Sequence, residues 1–141
     1  MGPDELLDYC LAKPGAYLDY PFGESVATAR LRTADMAAGR IFAEVFTLRG
    51  CACVTFRCEA LAGLVWRAAH PGVVVRGYHC PPVQQPYSNT MPLDGSVPDD
   101  ELIQMADEAY DAVFARLPRY RQRQLQTEHG GLDTVLMVDW P

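Results

Sequence analysis

Lysine is nearly missing from this chain. Lys13 is the only one, and arginine supplies the rest of the 12 positive charges set against 18 aspartates and glutamates. The formal charge of -6 withholds the net positive field with which a non-specific nucleic-acid binder draws in its partner, so any such contact has to rest on a local basic face. Long apolar runs are missing as well. None approaches the ~20 residues that span a bilayer, and the opening Met1-Gly2-Pro3-Asp4-Glu5 is acidic where a secretory leader is basic and then apolar. No membrane association is expected. The 5 cysteines are odd in number and lack the spacing of a disulfide framework, which predicts a cytoplasmic protein with reduced thiols. Structural zinc needs paired cysteines two to four residues apart, usually twice. Cys51 and Cys53 are separated by one residue and have no second pair, so they read as small buried hydrophobes. Neither a metal nor a cofactor is expected.

What is present suits one folded domain. Apolar residues make up 49% of 141, enough for a core, and charged residues 21%, too few for a disordered chain. Pro3, Asp4 and Glu5 open a helix whose stripe is Leu6, Leu7, Cys10 and Leu11, ended by Lys13-Pro14-Gly15. Ser25 to Arg32 alternates as a strand. Ile41 to Leu48 and Cys51 to Arg57 are strands joined by a two-residue turn, Arg49-Gly50. Both are apolar on both faces, which predicts a sheet covered on much of both sides. Glu59 to His70 is a helix expected to bury Leu61, Leu64, Val65 and Ala68. Val73 to Tyr78 is a short strand, and Tyr87 to Leu93 an edge strand because Pro92 cannot donate to a ladder. Pro98 to Leu117 is a helix with an acidic first turn and a stripe of Leu102, Ala106, Ala109, Val113 and Leu117. The fold class is α+β, with helices packed on an antiparallel sheet.

Several landmarks resemble one family. Cys10-Leu11-Ala12-Lys13-Pro14-Gly15-Ala16, Asp19-Tyr20-Pro21-Phe22-Gly23 and Gly39-Arg40-Ile41-Phe42-Ala43 come first, in that order. Leu93-Asp94-Gly95-Ser96-Val97-Pro98-Asp99-Asp100-Glu101-Leu102 follows, and then Ala109-Tyr110-Asp111 with Leu117-Pro118-Arg119. Together they resemble the MmcQ/YjbR family. The resemblance implies a compact α+β domain over residues 1–119, similar to frataxin-type domains and to a double-wing DNA-binding arrangement, and it implies DNA as a partner. Arg57 stands where the family commonly has lysine, and Tyr87 where it commonly has tryptophan. Residues 120–141 lie beyond the likeness. They read as a C-terminal extension docked on the domain or on a partner subunit. Val135, Leu136, Met137, Val138 and Trp140 would otherwise expose an apolar segment, although a frayed terminus is the plainer state of a chain end.

Two binding readings compete. In the first, Arg30, Arg32, Arg40, Arg57 and Arg76 form a basic surface that grips DNA phosphates, against the plainer reading of scattered solubilising arginines. In the second, Tyr17, Tyr20, Phe22, Tyr78 and Tyr87 line a pocket for a small molecule, against ordinary core covering. No catalytic residue is expected. His79 and Cys80 are the one nucleophile–base pair worth naming, and adjacent residues of an extended segment point apart. The acidic first turns, with Asp4, Glu5 and Asp8 or Asp99, Asp100 and Glu101, fit helix dipoles better than an iron site. The chain is expected to be a monomer or a homodimer.

Overall fold

The hairpin between residues 40 and 57 organises the molecule. Its turn residues Arg49 and Gly50 both take positive φ, 53° and 79°, as a tight hairpin turn with right-handed strand twist demands. In the computed structural model, which describes residues 1–129, this hairpin is β3 (Arg40–Leu48) and β4 (Cys51–Arg57). Ahead of it lie α1 (Pro3–Leu11), β1 (Ala16–Asp19) and β2 (Ala27–Leu31). After it come α2 (Ala60–Ala69), β5 (Val75–Arg76), β6 (Ser88–Pro92), α3 (Asp99–Ala115) and α4 (Arg119–His129). The strands form one sheet in the order β1-β2-β3-β4-β6-β5, and every neighbouring pair is antiparallel. The apolar tail expected to dock lies outside the described residues.

A β-bulge shapes the core. Ala29 pairs with Ala43 but the next residue, Arg30, pairs with Ile41, leaving Phe42 as the extra residue. The slip lets Phe42 and Ala43 both enter the core, where Phe42 meets Tyr110 of α3 edge-on with ring centroids 5.6 Å apart. α1 and α3 cover this face, burying Leu6, Cys10, Leu102, Ala106, Ala109 and Val113 against Leu31, Val45, Val54, Phe56 and Met91. α4 reaches the same core through buried Leu125.

Four expectations need correction. The helical stripe of α2 does not face inwards: Leu61, Leu64 and Val65 are 74%, 54% and 58% exposed, and Ala68 is exposed too. The opposite side docks instead. Trp66 donates its ring N–H to Glu108 at 2.8 Å, Arg67 donates to Asn89 at 2.7 Å, and Gly63 sits so close to Cys58 that a Cβ would strike its sulfur. β6 is not an edge, since it lies between β4 and β5. β5 is only two residues long, so Pro92 faces no partner on that side and costs no ladder bond. Residues 16–19 form the edge strand β1, between the end of the first helix and Ser25, where no element is predicted. Among the described residues helices cover one sheet face; on the other, loops around residues 20–26 and 77–87 border one cleft, and a second lies at the strand ends beside α3.

Candidate functional site

Strand alternation and the bulge bring the ends of β2, β3 and β4 together with the C-terminal half of α3. Between them is a cleft of about 420 Å³ whose walls carry Arg30, Arg40, Arg57 and Arg116, with Tyr87 and Val113 beside them. Each arginine is held differently. Arg30 forms an ion pair with Asp19 at 3.0 Å and gives two further N–H bonds to the Gly39 carbonyl, at 3.0 and 2.6 Å. Arg116 lies over the Tyr87 ring at 5.7 Å and 3.7 Å from the Glu59 carboxylate, a solvent-exposed and weak pairing. Arg57 is steadied by long bonds to neutral acceptors, the Ile41 carbonyl, Gln84 and Ser88, at 3.4 to 3.5 Å. Arg40 is exposed. Neither Arg40 nor Arg57 has a carboxylate within ion-pairing distance among the described residues.

Gly39 fixes Arg40 in place. Its N–H donates to the Tyr17 hydroxyl at 2.8 Å and its carbonyl is clamped by Arg30. A Cβ at Gly39 would overlap the Leu31 carbonyl, so the loop before β3 can pass only as glycine. Cys58 also lines the cleft. Burial pushes its thiol up to about 11, which keeps it protonated and a poor nucleophile at neutral pH.

The structure therefore gathers Arg30, Arg40 and Arg57 and separates the other two proposed arginines. Arg32 stacks on the Tyr17 ring at 4.0 Å, so those two residues serve each other. Arg76 is exposed on β5, at the far edge of the sheet. The proposed aromatics do not converge either: Tyr78 is 68% exposed, Tyr20 is exposed, Tyr87 joins the arginine cleft, and Phe22 lines a second cleft. Arg116 was not foreseen as a wall of this cleft. It sits at the end of α3, and the packing of that helix across the sheet brings it to the cleft.

His79 and Cys80 do not point apart. The loop turns, with the Cys80 N–H bonded to the Gly77 carbonyl at 2.8 Å, and this brings the Cys80 sulfur 3.8 Å from His79 Nε2. Burial raises the Cys80 thiol above its ordinary value, which disfavours the thiolate. The remaining thiols are dispersed: Cys10 is in the core under α1, and Cys51 and Cys53 lie at the turn end of β4. Among the described residues no three His, Cys, Asp or Glu side chains gather to hold a metal ion. None of the described helices is long and apolar enough to cross a membrane.

Comparison with known proteins bears on the fold. A family model for YjbR matches residues 11–112. The crystal structure of Deinococcus radiodurans protein DR2400, described with a DUF419 domain, superposes with a TM-score of 0.76 at 21% identity, covering 88% of this chain and 90% of that one. A structure of a Pseudomonas syringae protein gives a TM-score of 0.60 at 14% identity, covering 80% of this chain and 99% of that one. At such identities the likeness concerns the fold. No curated protein matches the sequence. The matched span runs from the end of α1 through most of α3 and includes Arg30, Arg40, Arg57 and Tyr87 of the cleft, and on that match the chain belongs to the YjbR family.

Proposed function

We propose that this chain is a non-enzymatic binding protein that takes a nucleotide unit by its phosphate in the arginine cleft. One observation carries the reading. Two guanidinium groups without a carboxylate partner among the described residues, Arg40 and Arg57, converge with Arg30 and Arg116 on one cavity in a molecule whose net charge is -6. Leaving like charges together has a free-energy cost that an anion between them removes. Guanidinium forks suit phosphate oxygens, and Tyr87 offers an aromatic surface at the rim for a base. The cavity, about 420 Å³, falls in the range of small-ligand sites. The unpaired state of all five cysteines supports a reducing compartment, the cytoplasm.

The same phosphate chemistry has two sources, a free nucleotide and a nucleic-acid strand, DNA included. Titrations at low salt with adenosine diphosphate, a single-stranded oligonucleotide and a duplex separate them. Binding of the free nucleotide alone assigns a small-molecule site. Tighter binding of either nucleic acid, with affinity falling steeply as salt rises through counterion release, assigns a DNA-binding one. Charge reversal at Arg57 should weaken whichever ligand binds, on all sequences alike, because phosphates carry no base information. If none of the three binds at low salt, the proposal fails.

A further inference from the structure

We infer that the second cleft, on the helix-free face of the sheet, is a binding site for a small organic cation, with Glu44 as the counter-charge. The cleft measures about 400 Å³ and shares Ile41, Arg57 and Gln84 with the arginine cleft, but its character differs. Its walls include Phe22, Val26, Phe46 and Pro81, and at its floor is Glu44 in the middle of β3. The Glu44 side chain is only 10% exposed. A carboxylate withdrawn from water to that degree needs a cation or several donors.

Among the described residues its neighbours supply one long ion pair, to His79, and no hydrogen bond. The ladder sets Thr28 and Thr55 on either side of Glu44, and Thr90 beyond Thr55, as one polar row across the sheet. None of those hydroxyls bonds to Glu44. Thr28 donates to the Val26 carbonyl at 3.2 Å, while Thr55 and Thr90 share a bond of 2.7 Å. The nearest partner of Glu44 among the described residues is His79 Nε2 at 3.7 Å, beyond hydrogen-bond length and from a side chain 43% exposed. The Arg57 guanidinium bonds to the Ile41 carbonyl, Gln84 and Ser88. Among the described residues Glu44 thus opens into a largely apolar cleft with one long ion pair, to His79, as its charged contact. Phe46, against which His79 packs at 5.5 Å, adds an aromatic wall that favours a cation further. The matching ligand is a primary ammonium or guanidinium carried on an apolar body. The charge is opposite to that of the ligand proposed for the neighbouring cleft, with which this one shares Arg57 as a wall, and the inference does not rest on that reading.

The full chain titrated with phenethylamine, 2-phenylethanol and 3-phenylpropionate, followed by chemical shifts of Phe46 and His79, tests this. The amine should saturate, the alcohol should bind about ten-fold more weakly, and the carboxylate more weakly still. Glu44→Gln should erase the preference for the amine over the alcohol. Phe22 is 61% exposed, so Phe22→Ala should weaken the amine while leaving the melting temperature unchanged, and it decides the matter should Glu44→Gln fail to fold. Arg40→Glu, which alters the other cleft, should leave the amine affinity unchanged. Equal binding of the three probes, no binding of the amine, or an amine preference that survives Glu44→Gln would overturn the inference.

Discussion

The single lysine shows how much one side chain can organise. Lys13 Nζ reaches Asp107 at 2.5 Å and lies 5.0 and 5.4 Å over the Tyr9 and Tyr110 rings, while Tyr9 donates to the same carboxylate at 2.6 Å. Burial works to raise the Asp107 carboxyl, but the hydrogen bonds from Lys13 and Tyr9 outweigh it and hold it below its ordinary 3.8. A depressed carboxyl contributes stability above its unfolded value and loses it as pH falls through the folded one. Asp107→Asn should therefore destabilise the protein at neutral pH, by no more than about 1 kcal/mol because the carboxylate is partly exposed. The gap from wild type should narrow in urea titrations as pH falls below the ordinary 3.8 and through the lower folded value. A gap that stays constant across that range would show that the carboxylate charge is not the cause. Gly39 is a second such point. Gly39→Ala should cost about 1–3 kcal/mol by thermal unfolding, since the obstacle is backbone rather than a movable side chain. It should also weaken any ligand of the cleft by displacing Arg40. Neither role could be read from the sequence, because Lys13 depends on Asp107 far along the chain and Gly39 on how its loop folds back over Leu31.

Elements with local signals were legible. Pro98 followed by three acidic residues marks the start of α3, and Arg49-Gly50 marks the β3–β4 turn, because caps and turns are decided by a few adjacent residues. The facing of α2 was not. Its helical period is genuine, but two of the residues that dock it, Trp66 and Arg67, do so by polar ends bonding to Glu108 and Asn89, which hydropathy does not register. Leu64→Glu should accordingly change stability by about 0.5 kcal/mol or less, while Trp66→Ala should lower the melting temperature clearly. A large loss at Leu64 would mean that the stripe is covered in solution. α4 is tied down by buried Leu125, which fills the space beside Gly15, and by Arg121, 2.7 Å from Asp35. Leu125→Ala should cost about 2–5 kcal/mol in denaturant unfolding. A cost near zero would make α4 an appendage.

At the scale of the molecule, an acidic chain gathers four arginines at one end of its sheet and sets a largely buried carboxylate on the adjoining face. The arginines of β2, β3 and β4 were visible as candidates because alternation puts charged residues in recognisable register. Arg116 and the isolation of Arg76 follow from how α3 crosses the sheet and how far β5 lies from β3, which are tertiary facts. Glu44 left a faint mark, a lone charge between Phe42-Ala43 and Val45-Phe46, but a strand can as easily turn such a residue to water. The central claim is that the arginine cleft binds phosphate. The most direct test is calorimetric titration of adenosine diphosphate into the wild type and into the Arg40→Glu/Arg57→Glu double variant at low salt, with thermal unfolding as a check on fold. Saturable binding by the wild type that weakens as salt rises, and that falls at least about ten-fold in a folded double variant, is the expected result. Equal affinity of the two proteins, or no binding by the wild type, would contradict it.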